Sequence, residues 1–240
     1  MTTTDRWTQA VRQQLGLGRL LPLGGARDGA WISERAAEAV LRSAAEDMRG
    51  VRLDELRIGL TDPQDTQEAA VPPPPSALPP GPLRVTADFA ATAAEALPTT
   101  AERLRGLLAT AATERLGLTV TEVDLRVTAL LDEDAEPAPP RQAEPTRVAE
   151  PASPDEERVA AAALAVPGVI RLTGTLGGLN RAVHIEERQD EAALPRRHVR
   201  VEIAVRADRR AVEVAREVRE WVGEALADRP TVAVLVTAVS

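Results

Sequence analysis

Apolar positions recur along this chain with two periods, and the periods alternate. A helix with one buried face is predicted that begins with Trp31-Ile32-Ser33-Glu34-Arg35 and continues through Ala36, Ala37, Val40, Leu41, Ala44 and Ala45 at i, i+3/i+4 spacing. The same spacing returns at Val159, Ala162, Ala163 and Val166, behind Ser153-Pro154-Asp155-Glu156. That leader reads as an N-cap serine, a proline at the first helical position and a capping-box glutamate. Both stretches run into a Gly-Val pair, Gly50-Val51 and Gly168-Val169, where glycine suits the end of a helix. Period two then takes over, at Leu56, Ile58 and Leu60 and again at Leu83, Val85, Ala87 and Phe89. It recurs at Val183 and Ile185 and at Val199, Val201, Ile203 and Val205, with Arg200, Glu202 and Ala204 between. One apolar face per segment predicts half-buried strands.

A second helix is predicted after each strand pair. Thr99 and Glu102 read as a capping box ahead of Leu104, Leu107, Leu108, Ala111 and Ala112, with Gly117 as the stop. Asp208 reads as the cap ahead of Val212, Ala215, Val218, Val222 and Leu226. Each half closes on a strand, 123–131 and 231–239, and each of these contains Val-Thr-Ala, at 127–129 and 236–238. The order helix-strand-strand-helix-strand thus occurs twice, the mark of an internal repeat. The predicted fold class is α/β (α+β): two small α-β-β-α-β modules, each a three-stranded sheet with helices on one face, plus an N-terminal helix. In that helix Trp7, Val11 and Leu15 share a face and Gly16 ends it.

Two proline-rich tracts punctuate the pattern. The first holds Pro72 to Pro75, Pro79, Pro80 and Pro82; the second holds Pro137, Pro139, Pro140, Pro145, Pro151 and Pro154. Proline lacks an amide donor and disfavours helix in the preceding residue, so neither tract forms a helix or a central strand. The first, 71–82, is expected as a long hairpin loop. The second, with Val148 as its one large apolar residue, is expected as a flexible linker. The resulting organisation is an N-terminal helix and turn (1–30), a first module (31–132), a linker (133–154) and a second module (155–240).

The two closing strands differ. In the first, Val123, Leu125, Val127, Ala129 and Leu131 point one way and Glu122, Asp124, Arg126 and Thr128 the other. In the second, Val232, Val234, Val236 and Ala238 alternate with Ala233, Leu235, Thr237 and Val239, so both faces are apolar. A strand of that kind is normally buried on both sides. The face carrying Ala233, Leu235, Thr237 and Val239 is therefore the candidate interaction surface, packing on the first module, a second copy or a partner, or else covered within one chain.

Composition acts mainly by exclusion. The 240 residues include no Cys, two His and 29 cations, all of them Arg. Thiol chemistry, Schiff-base lysines and a P-loop lysine are therefore ruled out. A net charge of −8 speaks against phosphate-driven nucleic-acid binding. His184 and His198 fall on the polar face of their strands and are expected to be solvated. The glycine-rich stretches 16–21 and 173–180 lack the residues of phosphate loops and read as turns. Glu213, Glu217, Glu220 and Glu224 interleave with Arg216 and Arg219 as a solvated helix face. No catalytic, cofactor-binding or metal-binding residue is predicted, and no cofactor. No stretch approaches the roughly 20 apolar residues needed to span a bilayer, and the expected location is the cytoplasm.

Pro167-Gly168-Val169 at the end of a helix, a hairpin, the strand Val199 to Val205, a long amphipathic helix and a valine-rich closing strand together resemble the alkaline shock protein family, the envelope stress response proteins of Gram-positive bacteria. The resemblance covers 155–240 and, more loosely, 31–132. It implies a non-enzymatic cytoplasmic interaction or scaffold protein, engaging a protein partner or itself, the partner in some members being a membrane-anchored relative. It brings no catalytic residues. The alternative from the residues alone is a small-molecule-binding or weakly catalytic domain.

Overall fold

The computed structural model describes residues 18–132, 148–175, 180–188 and 196–240. The predicted N-terminal helix (Trp7, Val11, Leu15, Gly16), most of the predicted linker (133–147) and the centre of the second glycine-rich stretch (176–179) lie outside the described residues. In chain order the elements are β1 (Leu20–Pro22), β2 (Ala30–Ser33), α1 (Glu34–Glu46), β3 (Val51–Leu60), β4 (Leu83–Thr92), α2 (Leu97–Thr110) with a π turn (Ala111–Leu116), and β5 (Val120–Leu131). There follow α3 (Pro154–Ala165), β6 (Val169–Leu172), β7 (Val183–Arg188), β8 (Arg196–Val205), α4 (Ala211–Ala225) and β9 (Thr231–Val239). The fold is mixed α and β.

Local signals set most helix ends. Ser33 accepts a hydrogen bond from Ala36 N–H at 3.2 Å and opens α1, which buries Ala36, Ala37, Val40, Leu41, Ala44 and Ala45, the predicted stripe. Ser153 accepts from Glu156 N–H at 3.2 Å, and the Glu156 carboxylate reaches back to Ala152 N–H at 2.7 Å. Two expected caps differ. The second helix starts at Leu97, before Thr99, because Pro98 supplies its first turn. Asp208 does not cap α4; Arg206 holds its carboxylate in two hydrogen bonds, at 2.9 and 2.7 Å.

The small sheet has the order β3-β4-β5, with β3 antiparallel and β5 parallel to the central strand. In the larger sheet β8 is central: β6 and β7 share one of its edges, both antiparallel, and β9 lies parallel on the other. That sheet is not three-stranded as expected. It is extended beyond β9 by β2, parallel to it, and then by β1. Trp31, expected at the head of a helix, is therefore a strand residue facing Leu235. The apolar run Ala30-Trp31-Ile32 precedes the cap and pairs as strand, a long-range contact that helical periodicity does not report.

The two parallel strands share an irregularity. Phe89 faces Val127 while Ala90 faces Ala129, leaving Thr128 as an extra residue; Ile203 faces Val236 while Ala204 faces Ala238, leaving Thr237. Each threonine hydroxyl donates to the carbonyl across the strand, Thr128 to Phe89 at 3.2 Å and Thr237 to Ile203 at 3.3 Å. On the far side of each central strand, Thr92 N–H donates to Gly50 O and Arg206 N–H to Gly168 O, both at 2.9 Å. Both glycines have positive φ, 72° and 103°. One hydrophobic cluster joins the helix-facing sides of both sheets, from Ile58, Val85 and Phe89 to Val201, Ile203 and Val234. Helix α1 packs against β3 and β9 alike. No helix among the described residues is long and apolar enough to cross a membrane.

Candidate interaction site

The second face of the large sheet is where β9 carries its unexpected apolar residues. Ala233 and Leu235 are both 0% exposed. They form a separate cluster with Leu20, Trp31 and Val71, flanked by Ala69 and Ala77. The cover comes from the proline-rich connection between β3 and β4. It is held down by Leu78 N–H to Leu20 O at 2.8 Å, Ala70 N–H to Ala26 O at 2.9 Å and Trp31 Nε1 to Leu78 O at 3.3 Å. Ala233 and Leu235 are core positions, not a surface open to a partner.

The other two residues of the predicted face lie elsewhere. Thr237 is half-buried, its hydroxyl 2.6 Å from Thr173 Oγ1 and its carbonyl accepting from Ser33 Oγ at 3.4 Å. Because Thr237 is the extra residue of the bulge, the alternation reverses after it. Val239 pairs with Val205 and packs on the helix-side cluster, opposite to Leu235. The strict alternation read from the sequence does not survive one inserted residue.

The polar half of the same face holds the histidines, and neither is solvated as expected. His198 is 6% exposed, with Nδ1 2.8 Å from Thr231 Oγ1. His184 is half-buried, with Nε2 3.1 Å from Arg181 O and 4.0 Å from the carboxylate of Glu202. Burial, and then the Arg200 charge, push the His184 imidazole below its ordinary value. Glu202 is 0% exposed and accepts from Thr175 N–H at 2.7 Å and Thr175 Oγ1 at 2.9 Å. Thr175, just after β6, thus satisfies a carboxylate that sits at a polar position of its strand. Among the described residues no group of three or more His, Cys, Asp or Glu side chains is placed to hold a metal. A shallow, open depression at the end of the sheet is lined by Val169, Ile170, Arg206, Ala207, Asp208 and Ser240, and its guanidinium is already paired with Asp208.

The edges of the small sheet are treated unequally. Along β3, Ile58 N–H donates to Glu34 Oε1 at 3.2 Å and Ile58 O accepts from Arg19 Nη2 at 2.7 Å. Arg42 fills the carbonyls of Leu53 and Asp54 at 2.9 and 2.6 Å. Burial pushes the Glu34 carboxyl up, but Arg19 and the Ile58 amide together draw it below its ordinary value, so it acts there as an anion. These side chains stand in for a missing neighbouring strand. Along β5, among the described residues, the outer backbone takes one side-chain bond, from Arg105 Nε to Val123 O at 3.1 Å. Beside it Val127 is 39% and Leu130 64% exposed. Leu130 joins Val127 on the helix side because the Thr128 bulge reverses the alternation, which the sequence reading had continued through Ala129 and Leu131.

Among the described residues the geometry presents a closed face, a buried polar cluster and, along β5, a strand edge with a single side-chain bond. No protein-family model matches the chain, and no curated protein matches it.

Proposed function

We propose that this protein is a non-catalytic interaction or scaffold protein of the cytoplasm, similar to the envelope stress response proteins it resembles, and that its working surface is the outer edge of β5. The single observation that carries this reading is the contrast between edges: side chains cap β3 at Leu53, Asp54 and Ile58, whereas among the described residues the outer backbone of β5 takes one such bond, beside exposed Val127 and Leu130. An edge strand of this kind is a template for another chain. The two halves are further read as divergent copies of one α-β-β-α-β unit. The matched bulges at Thr128 and Thr237, with the same hydroxyl-to-carbonyl bond, support that reading. So do the matched Gly50 and Gly168 contacts. The partner is a protein, either this chain itself or a membrane-anchored relative. A second reading, a small-molecule-binding or weakly catalytic domain, draws its support from the buried Glu202 cluster alone.

A photo-crosslinking residue tests the first reading in living cells. Placed at Leu130 it is expected to give a discrete protein adduct, and placed at the exposed Gln64 it is expected to give none. Equal labelling from both positions, or no adduct from Leu130, contradicts the interaction reading.

A further inference from the structure

We infer that the occupant of the β5 edge is a second copy of this chain, paired antiparallel across a two-fold axis at Leu125. This rests on the reading of β5 as an interaction edge and names its partner. The backbone comes first. Arg105 reaches Val123 O from outside the sheet, so Val123 points its amide and carbonyl outward. Orientation along a strand repeats every second residue, so Leu125 and Val127 point outward as well. An antiparallel neighbour must set outward residues against outward residues. A two-fold axis at Leu125 does so, with Val123 opposite Val127 of the second copy and Leu125 opposite its own counterpart. The carbonyl of Val123 has a second lone pair, so the Arg105 bond is not an obstacle.

Charge then selects the register. With the axis at Leu125, Asp124 of each copy lies opposite Arg126 of the other, in the close non-hydrogen-bonded positions where opposite charges attract most. Registers centred on Asp124 or Arg126 bring like charges face to face. Within one copy, Arg126 Nε already donates to Asp88 on β4 at 2.9 Å, and Arg84 lies 3.4 Å from Asp124. The pair of copies extends this into one row of alternating sign across four strands: Asp88, Arg126, then Asp124 and Arg84 of the second copy. The apolar side agrees. Val127 and Leu130, exposed in the single chain, come to lie against Val123 and Val120 of the second copy. Two three-stranded sheets become one of six, through an isologous contact that closes on itself.

Sedimentation equilibrium on the full chain tests this. The parent protein is expected to be a dimer that dissociates on dilution. Asp124→Arg sets cations against cations, and Arg126→Asp sets acids against acids. Both side chains are more than half exposed, 62% and 74%, so the fold is expected to persist, which circular dichroism checks. Each variant alone is expected to dimerise roughly tenfold or more weakly than the parent. Mixed in equal amounts they present opposite charges, and a heterodimer of near-parental affinity is expected. A parent chain that stays monomeric at every concentration overturns the inference. So does either variant dimerising as tightly as the parent, or a mixture that remains monomeric. If the parent is monomeric while the Leu130 crosslink in cells captures a different protein, self-pairing fails and the interaction reading stands.

Discussion

Leu235→Arg is expected to abolish the folded state. Leu235 is 0% exposed and sits among Leu20, Trp31, Val71 and Ala233, and its register partner on β8, the buried Glu202, already accepts two hydrogen bonds from Thr175. Loss of the leucine contacts costs about 2–5 kcal/mol, and a guanidinium too large for that space, buried beside a carboxylate that is already bonded, adds several kcal/mol more. The sum is comparable with the roughly 5–15 kcal/mol that stabilises an entire domain. Thermal melts followed by circular dichroism are expected to show no cooperative transition for Leu235→Arg. Leu235→Ala is expected to melt cooperatively, about 3 kcal/mol less stable than the parent. A Leu235→Arg protein that melts within a few degrees of the parent would show that the face is open after all.

Residues 148–240 made alone are expected not to fold. That fragment contains β6 to β9, yet β9 would lose its neighbour β2, whose Ala30, Trp31 and Ile32 pair with Val234, Leu235 and Val236. Its second face would lose Trp31, Leu20 and Val71, and its helix side would lose α1, which packs on β9. Uncovering a central strand on one edge and both faces removes contacts worth roughly 1.5–3 kcal/mol for each large apolar side chain. Co-production with residues 1–147 is expected to restore a soluble, cooperatively melting complex. For the same reason, trypsin cleavage at Arg141 or Arg147 is expected to leave two pieces that co-elute. A sharp melting transition from 148–240 by itself would show an independent unit.

Helices and strand identities were largely legible in the sequence, because they rest on local chemistry. The α1 stripe, the Ser153 cap and the apolar face of β8 fall where periodicity and capping put them. What stayed illegible was non-local. Nothing in Ala30-Trp31-Ile32-Ser33 announces that it pairs with residues two hundred positions away. The bulges at Thr128 and Thr237 are invisible to a strict period of two, although the repeated Val-Thr-Ala marked their position. That repeat places the same hydroxyl-to-carbonyl bond in both strands. The sequence identified β9 as a strand apolar on both faces, with packing on the first module among the expected covers; the cover is the proline-rich tract of that module, expected from the sequence only as a hairpin loop. His198 was expected to be solvated because its strand position alternates with valines, and its bond to Thr231 at the start of β9 leaves no mark on that alternation.

The outer amides of β5 offer the most direct test of the account. Hydrogen exchange at Leu125 and Val127 is to be compared in dilute and concentrated protein, with the Ile58 amide, bound to Glu34, as the internal reference. Fast exchange at Leu125 and Val127 in dilute protein, slowing as concentration rises while Ile58 stays protected throughout, is the predicted result. Exchange at those two amides that is equally fast, or equally slow, at both concentrations would contradict a free edge that a second copy fills.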